Sequence, residues 1–270
     1  MLETENLTIR FGGHVAVDHL SCAFQPGTLT AIVGPNGAGK TTYFNLISGQ
    51  LRASEGRVRL KGVDITHEAV SARTHRGLGR AFQLTQLFPN LSVVENVRLA
   101  VQSRRKDGLN LWSVWRDHRN TLEYAHALVE RVKLGDRAEA AASSLPHGDQ
   151  RKLEVAMLMA LEPSVYMFDE PTAGMSVDDV PVILELIRTI KDKGTKTILL
   201  VEHKMDVVRQ LADRIIVLHN GQLVADGEPA EVIALPVVQN AYLGLSPEAG
   251  AGADSVGSLT RPSPSARGSS

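Results

Sequence analysis

A lysine and two threonines close a glycine-spaced run, Gly34-Pro35-Asn36-Gly37-Ala38-Gly39-Lys40-Thr41-Thr42. The run fits the pattern G-x-x-x-x-G-K followed by serine or threonine. Glycines at these points let backbone N–H groups turn inward around phosphate oxygens. A helix opening at the lysine adds its own unpaired donors and the positive end of its dipole. Lys40 is a point charge for β- and γ-phosphates, and Thr41 offers a hydroxyl to Mg²⁺, which prefers oxygen ligands. Further on, an apolar run over residues 165–168 ends in Asp169-Glu170. An acid at the C-terminal end of a buried parallel strand faces the crevice where ligands bind. Asp169 is placed to hold Mg²⁺, directly or through water, and Glu170 to orient and deprotonate an attacking water. A third apolar run, residues 197–201, ends in Glu202-His203. A neutral imidazole there can hydrogen-bond a γ-phosphate and the attacking water.

These side chains need a scaffold that brings three distant strand ends together. Residues 28–33 are apolar and β-rich behind a Pro-Gly turn signal, and the pattern from Lys40 is helical, so the phosphate motif has the strand–loop–helix setting it requires. Upstream, residues 2–10, 15–24 and 57–60 alternate as short strands of an antiparallel sheet. Ser92-Val93-Val94-Glu95 is a capping box that opens a helix running to about Gln102. From there to about Leu161 the pattern is mainly helical, with a polar interruption near residues 103–110. A helix starting near Asp149 carries an apolar stripe of Leu153, Ala156, Met157 and Ala160. Strand, helix, strand then alternate as in a parallel α/β sheet. His219-Asn220-Gly221 between two apolar runs is a hairpin signal.

Leu145-Pro146-His147-Gly148-Asp149-Gln150 precedes the acid-bearing run by one helix length. With it, the chain resembles the ABC-transporter ATPases over nearly its whole length, from Leu2 to Leu245. Gly34 to Thr41 resembles the family's phosphate loop, Leu145 to Gln150 its signature, Phe168-Asp169-Glu170 the end of its acidic strand, and His203 its switch histidine. Gln83, closing Arg80-Ala81-Phe82-Gln83, resembles the family's hinge glutamine, a neutral oxygen ligand that approaches Mg²⁺ and withdraws. Phe11 sits where the family stacks an aromatic on adenine, with Ala16 lining the same pocket. The segments Arg10-Phe11-Gly12-Gly13, Gly79 to Gln83, Gly148 to Glu154, Val201 to Met205 and Ala241 to Gly244 resemble the ATPases of branched-chain amino acid importers. Those of urea and short-amide importers are similar, and iron–sulfur assembly ATPases share the general motifs.

The resemblance implies a P-loop α/β fold with an N-terminal antiparallel β-subdomain and an inserted helical subdomain. Residues 1–84 and 162–245 would form the ATP-binding core and 85–161 the helical part. ATP and Mg²⁺ are the implied ligands. The implied partners are two transmembrane permease subunits, a second ABC ATPase whose ATP faces Gly148 in a head-to-tail pair, and indirectly a solute-binding protein. The implied location is peripheral, on the cytoplasmic face of a bacterial inner membrane. Three positions, in two places, depart from the family pattern. Pro146 and His147 replace the signature's serine and first glycine, and Ser176 stands where an aspartate is usual. Ser176 with Asp179 fits a helix cap, but Pro181 predicts that regular helix starts later.

Composition bounds the rest. The chain has 270 residues, 43% hydrophobic and 22% charged, with a net charge of −1. That is ordinary globular material, and no basic field calls for nucleic acid. Its single cysteine, Cys22, fits a reducing compartment and a buried strand position. No apolar run reaches the ~20 residues of a membrane span. Trp112 and Trp115, among Arg104, Arg105, Lys106, Arg116 and Arg119, read as a solvated helix covering the helical subdomain rather than a membrane-surface helix. Residues 246–270, rich in Ser, Gly, Ala and Pro, read as a disordered tail.

Overall fold

The computed structural model describes residues 1–81, 87–105 and 114–243, with only the backbone described at 105, 114–118 and 240–243. The chain runs β1 (Leu2–Phe11), β2 (His14–Phe24), β3 (Leu29–Val33), α1 (Lys40–Ser48), β4 (Glu55–Leu60), β5 (Val63–Asp64), α2 (Val70–His75) and β6 (Leu78–Ala81). Helices α3 (Val93–Arg105), α4 (Val114–Arg131) and α5 (His147–Leu161) follow. The second half is β7 (Val165–Asp169), α6 (Val180–Lys191), β8 (Thr197–Val201), α7 (Met205–Leu211), β9 (Arg214–His219), β10 (Gln222–Gly227), α8 (Pro229–Ala234) and α9 (Pro236–Leu243).

The alternating N-terminal runs form a four-stranded antiparallel sheet in the order β2-β1-β4-β5. Its inward residues, among them Leu7, Val17, Leu20 and Phe24, pack with Tyr43, Phe44 and Ile47 of α1 and with one face of the second sheet. Cys22 lies buried in this layer. The second sheet has the order β10-β9-β3-β8-β7-β6. All its strands are parallel except β10, which returns antiparallel at the edge. Every residue of β3, β7 and β8 is buried, which is why these strands read as continuous apolar runs rather than alternating ones.

Helices α3, α4 and α5 pack on one another and share a core with α6 and the far face of the parallel sheet. The serine half of the expected capping box is present, with Glu95 N–H donating to Ser92 Oγ at 3.3 Å, while the Glu95 carboxylate accepts from Arg98. Its helix continues to Arg105, three residues past the expected end, through the polar stretch that begins at Ser103. Helix α5 begins at His147, two residues before its expected start, and is buried well beyond the expected stripe. Leu153, Val155, Ala156, Leu158, Met159 and Ala160 are all buried, while Met157 is only partly so. The helix is packed from several sides, and that overrides the pattern of one apolar face. As Pro181 predicted, regular helix starts later than a Ser176 cap would place it, with α6 beginning at Val180. In the first turn a proline loses no intrahelical bond.

Arg73 fixes α1 from below. Its fully buried guanidinium donates to the Leu46, Ile47 and Thr66 carbonyls at 2.7, 2.6 and 2.7 Å, satisfying acceptors that the helix end leaves open. Among the described residues, no helix is long and apolar enough to cross a membrane. Gln83, Trp112 and the tail from Ser246 lie outside the described residues, as does the side chain of Trp115.

Candidate functional site

Strands β3, β8 and β7 are parallel neighbours, so their C-terminal ends fall on one edge of the sheet. The loop after β3 carries residues 34–39, β7 ends at Asp169, and β8 leads into Glu202 and His203. Chain segments about 130 and 160 residues apart thus meet at a single edge, where their sequence patterns place the phosphate loop, the two acids and the histidine.

The loop is shaped by close backbone contacts. Gly39 has φ +96°, and a Cβ there would lie 2.6 Å from the carbonyl oxygen of Ala16. The same carbonyl would meet a Cβ on Gly221 at 2.8 Å, so β2, the loop and the β9–β10 hairpin converge on Ala16. Asn36, Gly37 and Thr41 are exposed, Thr42 is half-buried and Ala38 is buried. Phe11 is exposed at the turn between β1 and β2, the hairpin whose second strand carries Ala16.

Lys40 is buried to within 8% of its surface, and its ammonium donates to the Gly34 and Pro35 carbonyls at 2.6 and 3.0 Å. Burial lowers its pKa, and the nearby Glu170 and Asp169 carboxylates push the other way. An ammonium has three donors, so these two bonds leave one for a ligand. Helix α1 begins at Lys40 with no side-chain cap and no acid in its first turn, and its N-terminal N–H groups are left to an anion. A triphosphate therefore fits the donors present. The metal question is also one of donor chemistry. Thr41 and Asp169 offer hard oxygens, and Mg²⁺ bound with substrate phosphates needs only one or two from protein.

Asp169 is buried, and its Oδ2 accepts from Arg80 Nη2 at 2.6 Å. Glu170, next in the chain, is 43% exposed and has φ +49°, a left-handed conformation uncommon for a non-glycine residue. Its N–H donates to the Val201 carbonyl at 2.9 Å, tying it to the end of β8. His203 Nδ1 lies 4.0 Å from Glu170 Oε1 and 3.9 Å from Glu202 Oε1. The first gap is too long for a hydrogen bond. Such contacts are often loose before substrate binds.

Gly148 lies apart from the loop residues. It opens α5, and a Cβ on it would sit 2.8 Å from Asp179 Oδ2. Asp179 itself is held by Lys152 at 2.5 Å and by Ser176, whose Oγ bonds Oδ2 at 2.7 Å. Ser176 thus joins a polar cluster linking the start of α5 to the segment after Glu170.

Three residues of this edge were not singled out by sequence reasoning. Arg80 stood only within Arg80-Ala81-Phe82-Gln83, the segment read for its hinge glutamine. Lys152 stood only within the resemblance segment Gly148 to Glu154. Glu202 has no exposed surface. Its Oε1 accepts from Thr172 Oγ1 and Lys204 N–H, both at 3.3 Å, while Oε2 is buried without a hydrogen-bond partner among the described residues. Burial pushes its carboxyl above the usual range.

Comparison with known proteins agrees with this geometry. A family model described as "ABC transporter" matches residues 17–173. The high-affinity branched-chain amino acid transport ATP-binding protein LivG of Escherichia coli is 35% identical over 249 residues, covering 90% of this chain and 98% of that protein. BraF of Pseudomonas aeruginosa, of the same description, is 35% identical over 250 residues with the same coverage. A nucleotide-free ATP-binding cassette from an ABC transporter superposes with a TM-score of 0.76 at 29% identity, covering 90% of this chain and 98% of that one. The ADP conformation of another cassette gives 0.75 at 30% identity, covering 91% and 99%. The fold is that of the ABC ATPases, and the chain belongs to the ABC transporter ATP-binding family.

Proposed function

We propose that this ATPase powers an importer, with branched-chain amino acids as its solutes. The observation that carries the ATPase part is the convergence of the phosphate loop, Asp169-Glu170 and His203 on adjacent strand ends. Relatives named for branched-chain amino acid transport, matched over nearly their full length, support the solute class. Phe11 and Ala16 receive the adenine. The loop amides of residues 36–39, with Lys40, Thr41 and Thr42, hold the phosphates. Thr41 and Asp169, with Gln83 as the resemblance implies, would hold Mg²⁺, which when bound would supply positive charge against the phosphates. Glu170 accepts the proton of the attacking water as it approaches the γ-phosphorus. The left-handed backbone of Glu170 costs conformational energy that the bond to Val201 helps to meet, as expected where a carboxylate is held for a task. His203 orients water and γ-phosphate from the neighbouring strand.

The working unit is a head-to-tail pair, with Gly148 and the uncapped start of α5 facing the partner's phosphates. The partner is a second copy or a related ATPase. Residues 85–161 act as the helical subdomain, and the membrane-spanning part of the machine is carried by two permease chains. A cavity of about 150 Å³ between the end of α1, β6 and α5, lined by apolar Val70, Leu87 and Leu158 and by polar Gln50, Arg80 and Glu154, is where such a partner would dock.

The test is reconstitution with co-purified membrane partners and their solute-binding protein in liposomes. ATP turnover should rise when leucine, isoleucine or valine is supplied. Stimulation by urea or a short amide instead would reassign the solute, and turnover indifferent to every solute would remove the import reading.

A further inference from the structure

We propose that Arg80 is the positioning residue for the Asp169 carboxylate, locking this Mg²⁺ ligand to the helix that carries Lys40 and Thr41. The inference rests on the reading of Asp169 as a metal ligand. Arg80 lies on β6, opposite Met167 of β7, two residues before Asp169. Its guanidinium reaches across the sheet edge to α1. Nη1 donates to Asn45 Oδ1 and Ser48 Oγ, each at 2.8 Å, and to Gln50 Oε1 at 3.1 Å. Its carbon sits 5.3 Å from the centroid of the Phe44 ring. Nη2 then holds Asp169 Oδ2 at 2.6 Å, with both side chains under a tenth exposed.

Stability alone is a weak reason for such a pair. Desolvating two charges cancels most of their attraction, and apolar side chains of similar volume often do as well. The arrangement instead resembles the outer-shell contacts that orient metal ligands. Four of Arg80's partners belong to α1 or the residues just after it, so the guanidinium is pinned on one side and presents a fixed donor on the other. A group held that firmly is not a counter-ion waiting to be displaced. It also occupies only one oxygen of Asp169, and Arg80 is that side chain's one recorded partner among the described residues. A lysine has no planar fork with which to copy several bonds at once.

The experiment titrates Mg²⁺ into EDTA-treated full-length protein and follows binding of a fluorescent ATP analogue. Asp169→Asn should abolish the Mg²⁺ enhancement. If the enhancement survives, Asp169 is not the metal ligand and the proposal falls with that reading. In Arg80→Gln, affinity in EDTA should stay within about twofold while the half-saturating Mg²⁺ concentration rises roughly 10-fold, the range seen for outer-shell changes. Arg80→Lys should recover part of that shift. An unchanged or lower Mg²⁺ requirement in Arg80→Gln overturns the proposal. Equal losses with and without Mg²⁺ do so too, since that is the signature of a purely structural role. If Arg80→Gln fails to fold, Ser48→Ala with Gln50→Leu loosens the guanidinium from behind. That pair should raise the Mg²⁺ requirement in the same direction by a smaller factor, and no change in it counts against the proposal.

Discussion

A glutamate in left-handed backbone beside a half-exposed histidine is the proposed chemical centre of this chain, with the buried Glu202 next to His203. Sequence reasoning found Glu170 and His203 because strand-end acids and polar residues after apolar runs stand out. It did not find the burden on Glu202, because burial of one carboxyl depends on Thr172, thirty residues away. Burial favours the protonated form of Glu202, so its carboxyl binds protons more tightly folded than unfolded. Stability from this group is therefore greatest below the ordinary carboxylate range and falls as pH rises through the raised value. Glu202→Gln removes that dependence. The difference in thermal midpoint, variant minus parent, should increase from about pH 4 to about pH 7 by calorimetry. A flat difference would mean that the carboxyl is solvated or paired in solution. Arg80 was illegible for the same reason as Glu202, since its meaning lies in the pairing of β6 with β7 and in the packing of α1 over both.

The core strands were legible almost residue by residue, because β3, β7 and β8 are buried on both faces and bounded by turn residues. The hairpin after β9 followed from Asn220-Gly221, whose φ values of +48° and +77° are those its tight turn requires. Helix starts were read less well. Helix α5, expected near Asp149, starts at His147 directly after Pro146, because a proline at a helix start costs nothing. The burial of α5 exceeded its stripe because helix packing was not visible in a single segment. At this scale the phosphate loop makes the sharpest prediction. Gly39→Ala must place a side chain in left-handed backbone, at about 1–2 kcal/mol, and drive its Cβ toward the Ala16 carbonyl 2.6 Å away. The thermal midpoint should fall and ATP binding, followed by fluorescence titration, should weaken sharply. Retention of both would show that the loop has freedom the structure does not suggest.

The whole molecule raises the question of what meets Gly148. A Cβ on Gly148 would meet Asp179, and Pro146 and His147 just before it are exposed. A carboxylate introduced at Gly148 itself would collide with Asp179 and confuse assembly with folding. His147, exposed at the first position of α5, is the cleaner probe. His147→Glu adds a negative charge at a helix N-terminus, which favours the helix by about 0.3–1 kcal/mol, while repelling a phosphate held by a partner. In a Glu170→Gln background, light scattering should show Mg-ATP-driven association, with itself or with a related ATPase, and His147→Glu should abolish it with monomer ATP binding intact. Association unaffected by that charge would place the interface elsewhere. The expected partners and solute came only through resemblance, and the solute has no contact on this subunit from which to read it.

The central claim is that three neighbouring strand ends form one ATP-hydrolysing centre in which Glu170 activates water. Its most direct test is steady-state turnover of Glu170→Gln beside its ATP affinity, both measured with the membrane partners present. Glutamine keeps the size of the side chain and removes its basicity. Affinity should be preserved while turnover falls by roughly 10²–10⁴, the usual contribution of a general base. Near-normal turnover with normal affinity would contradict the account.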